Sequence, residues 1–381
     1  MITQPFLDAI AEAEKLIESA PNIATEQDLL EGYDYLAGRI RAALQLSFDY
    51  DLDRPVLINS THQFSRQGLD NPDAIYFHAW ITDGATYRVR GRRGSSADLS
   101  FQVMGGGYEA SGAPPSLAAF DDREIEVAPD GTFDLTLGPY DAGAKTLIIR
   151  EVFSDWDTEE RGTLWIERVD RIGRAAEPLR RSRLERKYEV AARILTGSIQ
   201  TWFAFPHFFQ YQEPVNTLTV PASTPGGLAS QFSSIGHYRL ADDEALLIEV
   251  PRCADAAYQA IQIGSDWYAS TDYETHQTSL TADQAVTDPD GVLRFVVSER
   301  PPLSGAPIAN WLEATGHQSG PIMLRWQRLT RELTAADGPR VSVVPVADLA
   351  GRLPAAVPLT AAQYAERITA RQRAVARRML S

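Results

Sequence analysis

Cysteine is almost absent from this chain. Cys253 stands alone, so an intramolecular disulfide framework and cysteine-rich zinc or iron–sulfur centres are excluded. Lysine is scarce as well: of 36 basic residues only Lys15, Lys145 and Lys187 are lysines, which leaves three candidates for Schiff-base or lysine-nucleophile chemistry. Positive charge is in deficit, with 36 Lys and Arg against 51 Asp and Glu and a formal net charge of −15. A general nucleic-acid binder needs the opposite, a basic surface that displaces counterions from phosphate, so no nucleic-acid partner is expected. Long apolar runs are missing too. No stretch approaches the ~18 apolar residues of a membrane span, so no membrane partner is expected either. Met1 to Ser19 carries acids early, without the basic stretch and apolar core of a secretory signal. With a single cysteine as well, the simplest reading is a cytoplasmic protein.

Catalytic signatures are equally sparse. The six histidines (62, 78, 207, 237, 276 and 317) are scattered with no metal-ligand spacing, so no metal is expected. There is no Gly-x-Ser-x-Gly elbow, no phosphate loop and no Gly-x-Gly-x-x-Gly at a strand–helix junction, so no cofactor is expected. Gly105-Gly106-Gly107 leads into small residues rather than a helix and reads as a turn.

The chain that remains is long enough for two moderate domains, 381 residues with 44% hydrophobic and 23% charged. Residues 4–47 are predicted helical, from Phe6, Ile10, Ala13 and Ile17 and then Leu29, Tyr33, Leu36, Ile40 and Leu44, with a break at Pro21-Asn22 and a restart at Thr25. Strands follow near 74–82, 85–91, 97–104, 123–127, 132–137, 145–151 and 163–169. Tyr188, Ala191, Leu195, Ile199 and Trp202 place a helix over 178–202. Strands resume near 244–250, 257–263, 292–298, 321–328 and 340–346, and a helix runs from Thr360 to Leu380. Its arginines (367, 371, 373, 377 and 378) read as a solvated face suited to a helix C-terminus.

An offset of 160 residues relates the two β-rich regions. Ala128-Pro129-Asp130-Gly131-Thr132-Phe133 matches Asp288-Pro289-Asp290-Gly291-Val292-Leu293, a Pro-Asp-Gly turn launching an alternating strand in each case. The same offset carries Ala85–Arg90 onto Ala245–Val250, and Phe101 and Val103 onto Ile261 and Ile263. Two residues out of step, Gly162-Thr163-Leu164-Trp165 resembles Gly320-Pro321-Ile322-Met323. Four matches in one order imply a duplicated β-unit. The expected fold is therefore β-rich α+β, two similar antiparallel β-sandwich or jelly-roll-like halves with a helix passing between them. The organisation reads as an N-terminal helical segment (1–50), a first half (51–175), a bridging helix with an aromatic segment (176–212), a second half (213–350) and a C-terminal helix (351–381).

The run from Glu244 to Arg328 contains the Asp-Pro-Asp-Gly turn, a Pro-rich stretch (Pro301, Pro302, Pro307), Asn310-Trp311-Leu312 and then Gly320-Pro321-Ile322-Met323-Leu324-Arg325-Trp326. This order resembles the C-terminal domain of a bacterial domain-of-unknown-function family, the one numbered twelve-fourteen. Asn71-Pro72-Asp73-Ala74-Ile75-Tyr76, ending in Ala79-Trp80, more loosely resembles a stretch of its companion N-terminal domain. Glu313 stands where the family usually has proline. The resemblance implies a β-sandwich and supplies no activity.

Three segments carry the chemistry. In the strand around residues 75–81, Ile75, Phe77, Ala79 and Ile81 form a core face, while Tyr76, His78, Trp80 and Thr82 form either the wall of a pocket for an aromatic ligand or a packed face covered by a helix. Arg88 would stand on the adjacent strand if residues 83–84 make a two-residue hairpin. The segment Trp202–Tyr211 holds six aromatics in ten residues; Phe205, His207, Phe208 and Tyr211 suit a lid or floor of a pocket, a dimer seam or inter-domain packing. Asp266-Trp267-Tyr268 and Asp272-Tyr273-Glu274-Thr275-His276 bring carboxylates, phenols and an imidazole into one loop, where Asp272 or Glu274 would orient His276. His237 and His317 read as turn residues.

These features favour a cofactor-independent enzyme of lyase, isomerase or dehydratase type, acting on a small apolar or aromatic compound between the β-halves. His78 or His276 would be the general base, Tyr76 or Tyr273 the acid and Arg88 the anion stabiliser. Trp80, Phe205, His207, Phe208, Tyr211 and Trp267 would hold the substrate. The alternatives are a binding module for small molecules or carbohydrate, with Trp80, Trp267 and Trp311 as platforms, and a structural homodimer joined through residues 202–211.

Overall fold

The two Pro-Asp-Gly turns are built alike. Gly131 and Gly291 take φ of +84° and +80°, a backbone conformation that glycine adopts without strain. Ala128 N–H donates to the Thr132 carbonyl (2.8 Å) and Asp288 N–H to the Val292 carbonyl (2.9 Å), so each turn starts its strand with the same hydrogen bond. The computed structural model describes residues 1–49, 51–106, 113–223 and 231–380; Gly107, the last of the three-glycine run, lies outside them.

The first half holds β1 (Ala74–Trp80), β2 (Tyr87–Arg92), β3 (Asp98–Met104), β4 (Ser116–Asp121), β5 (Thr132–Leu137), β6 (Thr146–Val152) and β7 (Thr163–Arg168). A sheet of order β1-β6-β3-β4 faces one of order β5-β2-β7. Alternation supplies the core between them: Ile75, Phe77 and Ala79 of β1 pack with Tyr87 and Val89 of β2, Phe101 and Val103 of β3 and Leu147 and Ile149 of β6.

The second half holds β8 (Thr217–Leu218), β9 (Ala222–Ser223), β10 (Gln231–Arg239), β11 (Glu244–Pro251), β12 (Tyr258–Ser265), β13 (Ala269–Ser270), β14 (Ser279–Thr281), β15 (Val292–Ser298), β16 (Trp311–Glu313), β17 (Ser319–Gln327) and β18 (Arg340–Pro345). Here β10-β17-β12-β14 run side by side in one sheet and β15-β11-β18 in the other. These seven strands repeat the strand order of the first half, and β8, β9, β13 and β16 are added at their edges. The duplication holds for the turns, for β2 with β11, β3 with β12 and β5 with β15. Its last sequence match does not hold: β17 occupies the place of β6, and the counterpart of β7 is β18. The segment 123–127 is likewise a turn, and the edge strand is β4 before it.

Around these halves lie α1 (Gln4–Glu18), α2 (Glu26–Phe48), α3 (Arg181–Ala204) and α4 (Ala361–Leu380). Thr25 and Asp28 form a capping box that starts α2. Although α3 links the halves in the chain, it packs on α1 and α2 through Ala191, Leu195 and Ile199, a helical layer into which the second half inserts Trp267. At the seam between halves, Asp73 accepts hydrogen bonds from Trp156 Nε1 (2.9 Å) and the Tyr258 hydroxyl (2.6 Å), and Asn71 Nδ2 donates to Tyr258 (2.9 Å). Helix α4 straps this seam. Its arginines are not all solvated: Arg371 and Arg378 are buried and cover the Trp156 ring at 4.6 and 4.1 Å. Among the described residues no helix is long and apolar enough to cross a membrane.

Candidate functional site

The polar face of β1 is half-buried. His78 exchanges backbone hydrogen bonds with Ile58 (2.8 Å each way), and its ring meets Ser60 Oγ at 3.4 Å. Burial, with the nearby Arg150 charge, holds its pKa down to about 4, so the ring is neutral at pH 7. The Tyr76 hydroxyl accepts from the Asn71 N–H (2.9 Å), and Trp80 Nε1 donates to the Leu46 carbonyl at the end of α2 (3.4 Å). Arg88 does not join them. The Asp83–Gly84 turn is tied to the loop before β6, with Asp83 accepting from the Gly143 and Ala144 N–H groups (2.8 Å each). The chain therefore crosses to the opposite sheet instead of making a hairpin. Arg88 lies there on the outer surface, paired with Asp134.

The aromatic segment divides. Phe205 is buried against Trp202 (5.6 Å) and Phe209 (5.0 Å), filling the junction of α3 with the second half. Tyr211 meets the His207 ring at a tilt (5.0 Å, 45°) and the His237 ring edge-on (5.2 Å, 80°), and His207 and Phe208 face solvent. Tyr273 belongs to the core of the first half. Nor do the expected tryptophan platforms present open faces. Trp267 and Trp311 are buried, with their indole N–H groups on the Asp28 carbonyl (2.8 Å) and the Ser298 carbonyl (3.1 Å).

Two of the expected residues do meet. Trp267 and His276 line a cavity of about 250 Å³ between α2 and the β12–β13 hairpin, together with Tyr35, Gln63, Arg66 and Asp272. Trp267 seats the hairpin on α2, stacked on Tyr35 (6.0 Å, 21°). Gly32 makes that possible: a Cβ there would stand 2.4 Å from the indole. His276 Nδ1 lies 3.0 Å from Glu313 Oε2, which leaves Nε2 without a partner among the described residues. Glu313 is itself fixed, accepting the Gln277 N–H (2.8 Å) and the Tyr364 hydroxyl from α4 on its other oxygen. The orienting carboxylate is thus Glu313, not Asp272 or Glu274. Asp272 instead caps its own loop, accepting the Glu274 and Thr275 N–H groups (2.9 Å each).

The rest of the wall is polar and partly unsatisfied. Arg66 donates to the Gln63 and Ser270 carbonyls (2.9 and 3.2 Å) and keeps further donors for the cavity. Tyr35 Oη, Gln63 Oε1 and Thr271 Oγ1 are buried with no hydrogen-bond partner among the described residues. His317, a turn residue as expected, is also a wall residue: its Nε2 lies 2.8 Å from Glu31 and its Nδ1 2.9 Å from the Ala314 carbonyl. Burial opposes its charge, but the Glu31 hydrogen bond and charge outweigh that and hold its pKa above the ordinary value. Tyr35, Gln63 and Arg66 carried no sequence signal, because only long-range packing brings them to the loop at residues 265–276.

This arrangement, a tandem β-sandwich with a helical layer and a polar cavity beneath α2, defines the class of protein. The same fold occurs in an uncharacterised protein from Burkholderia cenocepacia, 29% identical to this chain, with a TM-score of 0.79 over 90% of this chain and 96% of that one. A protein from Vibrio parahaemolyticus aligns over 82% of this chain and 97% of its own at 11% identity, with a TM-score of 0.43. No family model matches the chain, and no curated protein matches it. The resemblance of residues 244–328 to the twelve-fourteen family therefore rests on the motifs themselves.

Proposed function

We propose that the protein transforms a small polar molecule by general acid–base chemistry in the cavity beneath α2. The observation that carries this reading is the Glu313-held His276 on the wall of a cavity that also gathers Tyr35, Gln63, Arg66 and Asp272. A carboxylate on one imidazole nitrogen fixes the tautomer and leaves the other as a base. Arg66 stands where negative charge developing on a substrate would be met by guanidinium donors. The lining sets Arg66, Asp272 and Gln63 beside Tyr35 and Trp267, which favours a substrate that is hydrogen-bonding as well as partly apolar. The volume, just under the ~300 Å³ at which most ligand pockets begin, keeps it small.

The test incubates the protein in D2O with panels of small amines, amino acids, hydroxy acids and sugars, followed by proton NMR. One class is expected to exchange deuterium or turn over, with a loss of at least ~100-fold in His276→Gln. Ligand binding without exchange assigns the cavity to binding alone. No binding by any panel refutes the proposal.

A further inference from the structure

A second concavity, of about 620 Å³, opens at the far end of α2. Thirteen residues separate Asp34 at the first cavity from Ser47 at the second, roughly 20 Å along the helix at 1.5 Å per residue. Its walls come from residues 51–54, from the end of β7 with the turn after it, and from the first turns of α3. Seven cationic side chains line it against three carboxylates, in a chain whose acids outnumber its bases 51 to 36. The local charge is inverted.

The carboxylates present are already engaged. Asp53 serves both Arg168 (3.2 Å) and Arg171 (3.0 Å), Asp51 serves Arg54 (3.3 Å) and Arg183 (3.1 Å), and Glu177 turns to Arg180 (3.1 Å). Arg174 and Arg186 have no side-chain partner among the described residues. Lys187 is anchored on the Ser47 and Phe48 carbonyls at the end of α2, and burial with the Arg183 charge holds it below the ordinary ammonium range. The first turn of α3 contains no acid, and Arg180 gives it no side-chain cap. The positive end of a 24-residue helix thus adds to the same field.

We infer that this cavity binds a small organic polyanion carrying at least two negative charges, as phosphate or clustered carboxylate. Guanidinium forks from three separate chain segments match the oxygens of either group in pairs. The cavity is concave and belongs to a chain of net charge −15, which disfavours an extended polyanion such as nucleic acid more than a small one. The site is separate from the acid–base cavity and independent of it.

Isothermal titration calorimetry of the full chain with inorganic pyrophosphate and with citrate tests the inference, at about 20 mM and about 200 mM salt. Saturable binding is expected at the lower salt, weakened at the higher. It should weaken at least ~tenfold in the double variant Arg174→Gln/Arg186→Gln, whose exposed, unpartnered side chains leave the fold intact. Preference for pyrophosphate identifies the ligand as a phosphate, and preference for citrate as a polycarboxylate. The inference is overturned by the absence of binding at low salt, by undiminished affinity in the double variant, or by duplex DNA or anionic vesicles binding where both small anions fail.

Discussion

Asp98 opens β3 in full burial, where neither carboxylate oxygen has a well-formed hydrogen bond among the described residues. Arg328 is its cation, but at 3.8 Å and shared with Asp122 at 3.2 Å; with Ser100 it offers only partial compensation. Burial therefore dominates, the Arg328 charge opposes it, and Asp121 and Asp122 add to it, pushing the pKa up to about 7. An unfolded aspartate titrates near 3.9, and the difference from about 7 is worth roughly 4 kcal/mol at 1.36 kcal/mol per tenfold in proton affinity. The sign follows from proton uptake. The fold keeps a proton that the unfolded chain has lost, so this stabilisation is complete below the unfolded pKa, declines as pH rises, and is gone above about 7. Asp98→Asn copies the shape of the protonated acid and has no proton to lose. Urea unfolding of both proteins across pH 4 to 8 should show the variant gaining on the wild type as pH rises, by about 4 kcal/mol in total. A difference that stays constant with pH would refute the reasoning, because it would mean that Asp98 is ionised and paired with Arg328 in the fold.

Two further outcomes follow from packing. The Cε1 proton of His78 should titrate in NMR near pH 4, its neutral form stabilising the fold above the unfolded value near 6.5 and that stabilisation fading as pH falls through 4; a midpoint between 6 and 7 would instead restore His78 as a candidate base. Gly32→Ala should gain up to ~1 kcal/mol of helix propensity and lose about 1–3 kcal/mol by displacing the Trp267 ring. A net loss of stability with altered tryptophan fluorescence is expected, and a more stable variant with unchanged emission would contradict that packing.

What the sequence disclosed was local. The Pro-Asp-Gly turns, the alternation of Ile75, Phe77 and Ala79, and the stripe from Ala191 to Ile199 each announce their element within a few residues. Strand β10 was hidden although it lies inside the larger sheet. Ser233, Ser234 and Gly236 have weak strand propensity, yet at Gly236 a Cβ would stand 2.0 Å from the Thr217 carbonyl of β8, so only glycine fits. The fourth repeat match failed for a related reason: a glycine-led strand start is common to β7 and β17, which pair differently. At the site, Trp267 and His276 were legible because polar aromatics cluster in one loop. Glu313 was visible only as a departure from a motif, and Arg66, 210 residues before His276, is brought there by tertiary structure alone.

In the chemistry proposed above, His276, held by Glu313, is the working base of the cavity beneath α2. Nitrogen-15 NMR of the imidazoles, before and after addition of a compound found by the D2O panels, tests it most directly. The expected result is a proton on His276 Nδ1, an unprotonated Nε2 whose resonance moves on binding while that of solvent-facing His207 stays in place, and loss of the fixed tautomer in Glu313→Gln. A proton resident on Nε2, or a ligand that leaves the His276 nitrogens unmoved, would contradict it.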